Sequence, residues 1–158
     1  MCWVCEHPES TKADRLAYVR DLLDENPWVV IGVEGEGRRP PYSYTVGLTA
    51  AGRPELVITG LAKERGARVL TAVADRLLDA TPPAPGARFR LPGRRPGEIV
   101  RVAEPTVHLE VAADLFGGRL SALQLVYADS RGRWPWDRSY RSGRAGQPVL
   151  GPRGGASA

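Results

Sequence analysis

Tyr42-Ser43-Tyr44-Thr45-Val46-Gly47-Leu48, then Ala51-Gly52-Arg53-Pro54, then Glu55-Leu56-Val57-Ile58-Thr59: this stretch decides the fold. β-Branched and aromatic residues fill both ends, and a Gly-Arg-Pro turn stands between them. Such side chains fit a pleated, half-buried surface, and a short link of this composition joins antiparallel neighbours. Upstream, Trp28-Val29-Val30-Ile31-Gly32-Val33 is a further apolar run with branched residues, followed by the loop Gly35 to Pro41. Three strands with short links predict an antiparallel meander and leave no room for helical crossovers between them.

Outward from this core the pattern changes period. Thr11, with Asp14 three residues later, predicts a capped helix start. Leu16, Val19, Leu22 and Leu23 then share one face, and Asn26-Pro27 ends the helix. Downstream, a helix over Ala62 to Leu78 carries the stripe Val69, Leu70, Val73, Leu77, with Gly66 weakening its start. The Pro-rich Thr81–Gly86 segment is a break. Ala87–Leu91 and Ile99–Val102 read as strands with one wet face, Val107–Phe116 as a short helix closed by Gly117-Gly118, and Ala122–Tyr127 as the last strand. The order predicts an α+β fold: an antiparallel sheet able to curl into a barrel, flanked by two main helices, with an irregular C-terminal arm. One domain is expected over 1–151, with a frayed tail over 152–158.

The chain has 158 residues, 42% apolar and 25% charged, an ordinary globular composition. No apolar run approaches the ~20 residues of a membrane span, and the N-terminus lacks a charged segment followed by an apolar one. Two cysteines are too few for a secreted disulfide framework, so the expected location is cytoplasmic, with no membrane partner. The net charge of +4 is local: residues 129–158 carry six arginines against Asp129 and Asp137, and the rest of the chain sums to zero. Without a recognisable reading motif, such an arm does not argue for a nucleic-acid partner. A small-molecule ligand is the expected partner. Arg138, Arg141 and Arg144 are expected on a loop facing solvent or an anionic ligand. Oligomeric state is not encoded in any pattern here.

Both cysteines and one of the two histidines form Cys2-x-x-Cys5-x-His7. Three readings stand. The cysteines are small buried hydrophobes closing the core; or two thiolates and an imidazole hold zinc or iron; or the thiols form a redox disulfide, which lacks the usual helix N-terminus beside it. In the metal reading His108, Asp129, a second copy or a water supplies the fourth position, and the amine of Cys2 becomes a further ligand if Met1 is removed. A Ser–His–Asp triad through His108 and Asp129 has no Gly-x-Ser-x-Gly elbow to support it. Trp134 and Trp136 read as apolar anchors for the arm, or as a stacking platform for a planar ligand.

The stretch 41–61, with Ala122-Leu123-Gln124-Leu125-Val126-Tyr127-Ala128-Asp129, Gly132-Arg133-Trp134-Pro135-Trp136-Asp137 and Gln147-Pro148-Val149-Leu150-Gly151, resembles the bacterial family labelled domain of unknown function 4262. That resemblance implies one intact domain and carries no activity or cofactor. A vaguer similarity links the strand–turn–strand–helix order to flavin-reductase-like split barrels. It implies flavin mononucleotide bound through its phosphate, with Ser43, Thr45, Thr59 and Lys63 as the matching positions. The functional expectation is therefore a small-molecule-handling or enzymatic domain whose N-terminal cluster lies near Asp129–Asp137. The alternatives are a non-catalytic binding module with a structural cluster, and a flavin-binding split barrel.

Overall fold

A computed structural model describes residues 6–77, 79–143 and 146–153. Helix α1 spans Lys12–Glu25. Its capping box forms as expected: the Asp14 amide donates to Thr11 Oγ1 at 3.2 Å, and the Thr11 amide donates to Asp14 Oδ2 at 2.8 Å. Asn26, held extended ahead of Pro27, stops it. Strands β1 (Val29–Val33), β2 (Tyr42–Val46) and β3 (Glu55–Thr59) follow as the meander, each antiparallel to the next. Helix α2 is Lys63–Leu77, β4 Arg88–Arg90 and β5 Pro96–Arg101. The short helices α3 (Pro105–His108) and α4 (Glu110–Phe116) share the segment expected as one helix, and Gly117, at φ 56°, closes it. Strand β6 is Ala122–Tyr127.

The α+β class holds, and the sheet is an open one. Its strand order is β1-β2-β3-β6-β5-β4, with β1 and β4 as separate edges, so it does not close into a barrel. At its centre β3 and β6 run parallel, Glu55 opposite Ala122 and Leu56 opposite Leu123. The meander signal reports only neighbours in sequence. The pairing of β3 with β6 is made across a long connection that includes α2 and the β4–β5 hairpin, which allows a parallel approach.

Side chains alternate across this sheet and build two cores. Leu56, Ile58, Leu123, Leu125 and Ile99 face α2 and meet Val69, Leu70, Ala74 and Leu77. Tyr44, Val46, Val57 and Ala122 face the other way and meet Val19 of α1 with Leu109 and Ala112. Gly66, which weakens α2 intrinsically, lets it lie close to β2: a Cβ there would stand 2.8 Å from Ser43 Oγ.

A buried carboxylate fixes the β2–β3 turn. Glu55 accepts from Thr45 Oγ1 at 2.6 Å, from the amides of Gly47, Leu48 and Thr49 at 3.0, 3.3 and 2.9 Å, and from Thr49 Oγ1 at 2.8 Å. Gly47 adopts φ 125° in this turn, and a Cβ there would press on Pro27 and Trp28.

The C-terminal arm is ordered through two side-chain amides. Gln124 Nε2 donates to the Pro148 carbonyl at 2.7 Å, and its Oε1 accepts from the Leu150 amide at 2.7 Å. Gln147 treats Tyr127 in the same way, accepting from its amide at 3.0 Å and donating to its carbonyl at 2.8 Å. Each glutamine imitates the backbone of a missing strand. The arm reaches Arg153, which lies over Trp136 and against Glu98.

Candidate anion-binding cleft

Because β3 and β6 are parallel, their carboxyl ends open on the same side of the sheet, where ligand crevices form between diverging connections. Gly60-Leu61-Ala62 leaves β3 there and enters α2. Tyr127 ends β6, and Asp129–Arg133 turns away from it. The β4–β5 loop brings Arg95, and the arm returns with Tyr140, Arg141 and Ser142. Together they enclose a cleft of about 500 Å³. The two walls meet tightly at Gly60, where a Cβ would collide with the Gly146 carbonyl and approach the Tyr127 hydroxyl.

Asp129 organises the arm side. Its Oδ1 accepts from the amides of Arg131 and Arg133, each at 2.9 Å; its Oδ2 accepts from the Arg141 amide at 2.9 Å and from Arg133 Nε at 3.0 Å. Desolvation works against the charged form, but the three amides and the Arg133 guanidinium outweigh it and hold the carboxyl at about 2. Arg141 and Ser142 sit in the left-handed region, at φ 47° and 57°. The bond from Asp129 to the Arg141 amide helps maintain a conformation that costs roughly 1–2 kcal/mol per residue.

Five arginines line the cleft against Asp129. Arg133 is spent on that carboxylate. Among the described residues no carboxylate pairs with the guanidinium of Arg65, Arg95, Arg131 or Arg141. Arg65, Arg95 and Arg141 line the cleft together with Tyr127. Burial pushes its phenol up, the Tyr140 phenol adds to that, and Arg141, Arg95 and Arg65 pull it back, for a value of about 12. Arg95 also lies 5.7 Å from the centre of the Tyr127 ring. The hydroxyl itself donates to the Thr59 carbonyl at 3.0 Å.

The residues matched to a flavin phosphate do not share one surface. Thr45 serves Glu55 and accepts from the Leu56 amide at 2.8 Å. Thr59 Oγ1 donates to the Pro148 carbonyl at 2.8 Å and accepts from Gln124. Ser43 is buried under α2, and its hydroxyl has no hydrogen-bond partner among the described residues. Lys63 pairs with Glu34 at 3.2 Å. Thr59 and Lys63 nonetheless flank Gly60–Ala62, the backbone that lines the cleft.

Of the N-terminal cluster, Cys2 and Cys5 lie outside the described residues. His7 is exposed and lines a separate shallow groove with Glu9, Asp14 and Asp21. His108 is partly buried on α3, where its carbonyl accepts from the Tyr42 hydroxyl at 3.1 Å. No three His, Cys, Asp or Glu side chains among the described residues are grouped to hold a metal. Asp129 spends its oxygens on the arm.

Trp134 and Trp136 stack on one another, centres 5.3 Å apart and planes 5° from parallel. Arg88 lies over the first and Arg153 over the second, and both arginines bind the buried Glu98 at 3.4 Å. They anchor the arm to the β4–β5 edge through planar stacking, and both remain partly exposed.

Sequence reading missed Arg65 and Arg95. Of the three arginines expected on a loop facing solvent or an anionic ligand, Arg141 lines the cleft, Arg138 is exposed and Arg144 lies outside the described residues, while Arg131 and Arg133 join the cleft from the same arginine-rich arm. No helix among the described residues is long and apolar enough to cross a membrane. In comparison with known proteins, the family model described as domain of unknown function DUF4262 matches residues 23–141, a stretch that contains β1 to β6 and every residue lining the cleft except Ser142. No curated protein and no solved structure matches the chain.

Proposed function

The chain belongs to the domain of unknown function 4262 family, and on that premise we propose that it is a binding protein for a small anionic metabolite held in the arginine-lined cleft. One observation carries this reading: Arg65, Arg95 and Arg141, from α2, a hairpin loop and the arm, line one cleft with Tyr127 and have no carboxylate partner among the described residues. Like charges held together repel, and a bound anion relieves the repulsion while gaining charge-assisted hydrogen bonds. Binding is better supported than catalysis. Neither histidine lines the cleft, and Asp129 has no oxygen left for proton transfer.

The test is thermal unfolding in low-salt buffer with increasing sulfate or inorganic phosphate. A ligand at 100 times its Kd stabilises the native state by about 2.7 kcal/mol. The wild type is expected to gain melting temperature, and an Arg65→Ala, Arg141→Ala double variant to lose most of that gain. An equal response in both proteins, or none in the wild type, would overturn the assignment.

A further inference from the structure

We infer that the cleft selects the dianionic phosphoryl group of a phosphate monoester, a conclusion that rests on the anion-binding reading above. Arg65, Arg95 and Arg141 reach one cleft of about 500 Å³ from three different elements, with Arg95 5.7 Å from the centre of the Tyr127 ring, whereas a phosphodiester backbone is met by cations strung along an open groove. A diester also brings one negative charge and two esterified oxygens. A monoester brings about two charges and three free acceptor oxygens, which suits three guanidinium forks.

The remaining contacts agree with a terminal group. Ser130 and Ser142 place hydroxyl-bearing residues on the cleft wall, and Gly60-Leu61-Ala62 leads directly into the first turn of the 15-residue helix α2. First-turn amides have no intrahelical partner and favour negative charge. Glu64 and Lys63 stand at the same helix end, the latter committed to Glu34.

The cleft itself does not supply a proton switch near neutrality. Asp129 is held down at about 2 by its three amide bonds and Arg133, and burial pushes Tyr127 up to about 12, so neither changes charge near neutrality. Any change in affinity between pH 5 and 7 therefore follows the second ionisation of a monoester, close to pH 6.

Calorimetric titration of the full chain with phenyl phosphate, diphenyl phosphate, inorganic phosphate and sulfate tests this. Phenyl phosphate is expected to bind about tenfold more tightly at pH 7 than at pH 5, following its dianion fraction. Sulfate, a dianion throughout, is expected to show no such rise. Diphenyl phosphate is expected to bind at least tenfold more weakly than phenyl phosphate at pH 7. Arg95→Ala is expected to cut phenyl phosphate affinity at least tenfold, with an unchanged melting temperature in the absence of ligand. Inorganic phosphate binding as tightly as phenyl phosphate would identify free phosphate as the source of the group. Equal binding of monoester and diester, independent of pH, would overturn the selectivity and leave anion binding standing. Failure of all four probes would remove both.

Discussion

Replacing Glu55 probes the β2–β3 turn and the sheet behind it. Its carboxylate is fully buried at the start of β3, has no cationic partner among the described residues, and accepts from five donors. In Glu55→Ala the hydroxyls of Thr45 and Thr49 can rotate towards other acceptors. The amides of Gly47, Leu48 and Thr49 cannot. A stranded buried donor costs roughly 1–3 kcal/mol. The Leu48 contact, at 3.3 Å, is the weakest of the three. Water entering the vacated space recovers part of the loss, which leaves about 4 kcal/mol. For a chain of this size that is on the order of 10 °C in melting temperature. Glu55→Gln keeps the shape. With its nitrogen at the Oε2 position it retains the three bonds made to Oε1, turns Thr45 into a donor's partner, and gives up only Leu48. Its expected cost is about 1–2 kcal/mol. Urea unfolding at pH 7, followed by far-ultraviolet circular dichroism, measures both. An alanine variant within ~0.5 kcal/mol of wild type, or a glutamine variant as costly as alanine, would refute the reasoning.

Asp129 ionises well below the ordinary 3.8, so its contribution to stability is complete above that value and is lost as the pH falls through about 2. The stability gap between wild type and Asp129→Asn should accordingly narrow over pH 4 to 2 in acid titrations; a constant gap would contradict the amide network. Gly47→Ala should cost more than about 2 kcal/mol, since it combines a left-handed φ with contacts to Pro27 and Trp28, whereas Gly52→Ala, at φ 72° in open space, should cost about 1 kcal/mol in the same urea assay. Either Trp134→Ala or Trp136→Ala should abolish the exciton signal of stacked indoles in circular dichroism at a cost of about 2 kcal/mol, less than a fully buried indole because both rings are partly exposed. A persistent exciton signal in either variant would show that the rings do not stack in solution.

Local signals in the sequence located most elements. Thr11 and Asp14 marked the first helix, runs rich in β-branched, aromatic and other apolar residues marked β2, β3 and β6, and glycine or proline marked several of their ends. These features depend on residues within a few positions of each other. The parallel β3–β6 pairing does not, and neither do the duties of Thr45 and Thr59. Thr45 looks like a strand hydroxyl available to a ligand until Glu55 is known to share its side of the turn. The cleft was legible only through the arginines of the arm, because Arg65, Arg95 and Arg141 meet through the topology of the whole sheet. Gln124 and Gln147 gave no signal as surrogates for a strand, since an amide side chain reads as surface polarity until its neighbours are known.

The parallel seam has a consequence for synthesis. It joins two halves, β1–β3 and β4–β6, each antiparallel within itself. A ribosome completes the first half long before β6 exists, and closing so long a connection is the slow, non-local step of assembly. During that interval β3, wholly buried in the finished sheet, is a free edge carrying Leu56, Val57 and Ile58. Free edges of this kind recruit strands from other chains. A chain ending at Ser121 is expected to collect in aggregates, and a soluble monomeric fragment would show that the exposed edge is harmless. The greatest exposure to misassembly thus falls on the nascent chain, before its last strand arrives to occupy the centre of the sheet.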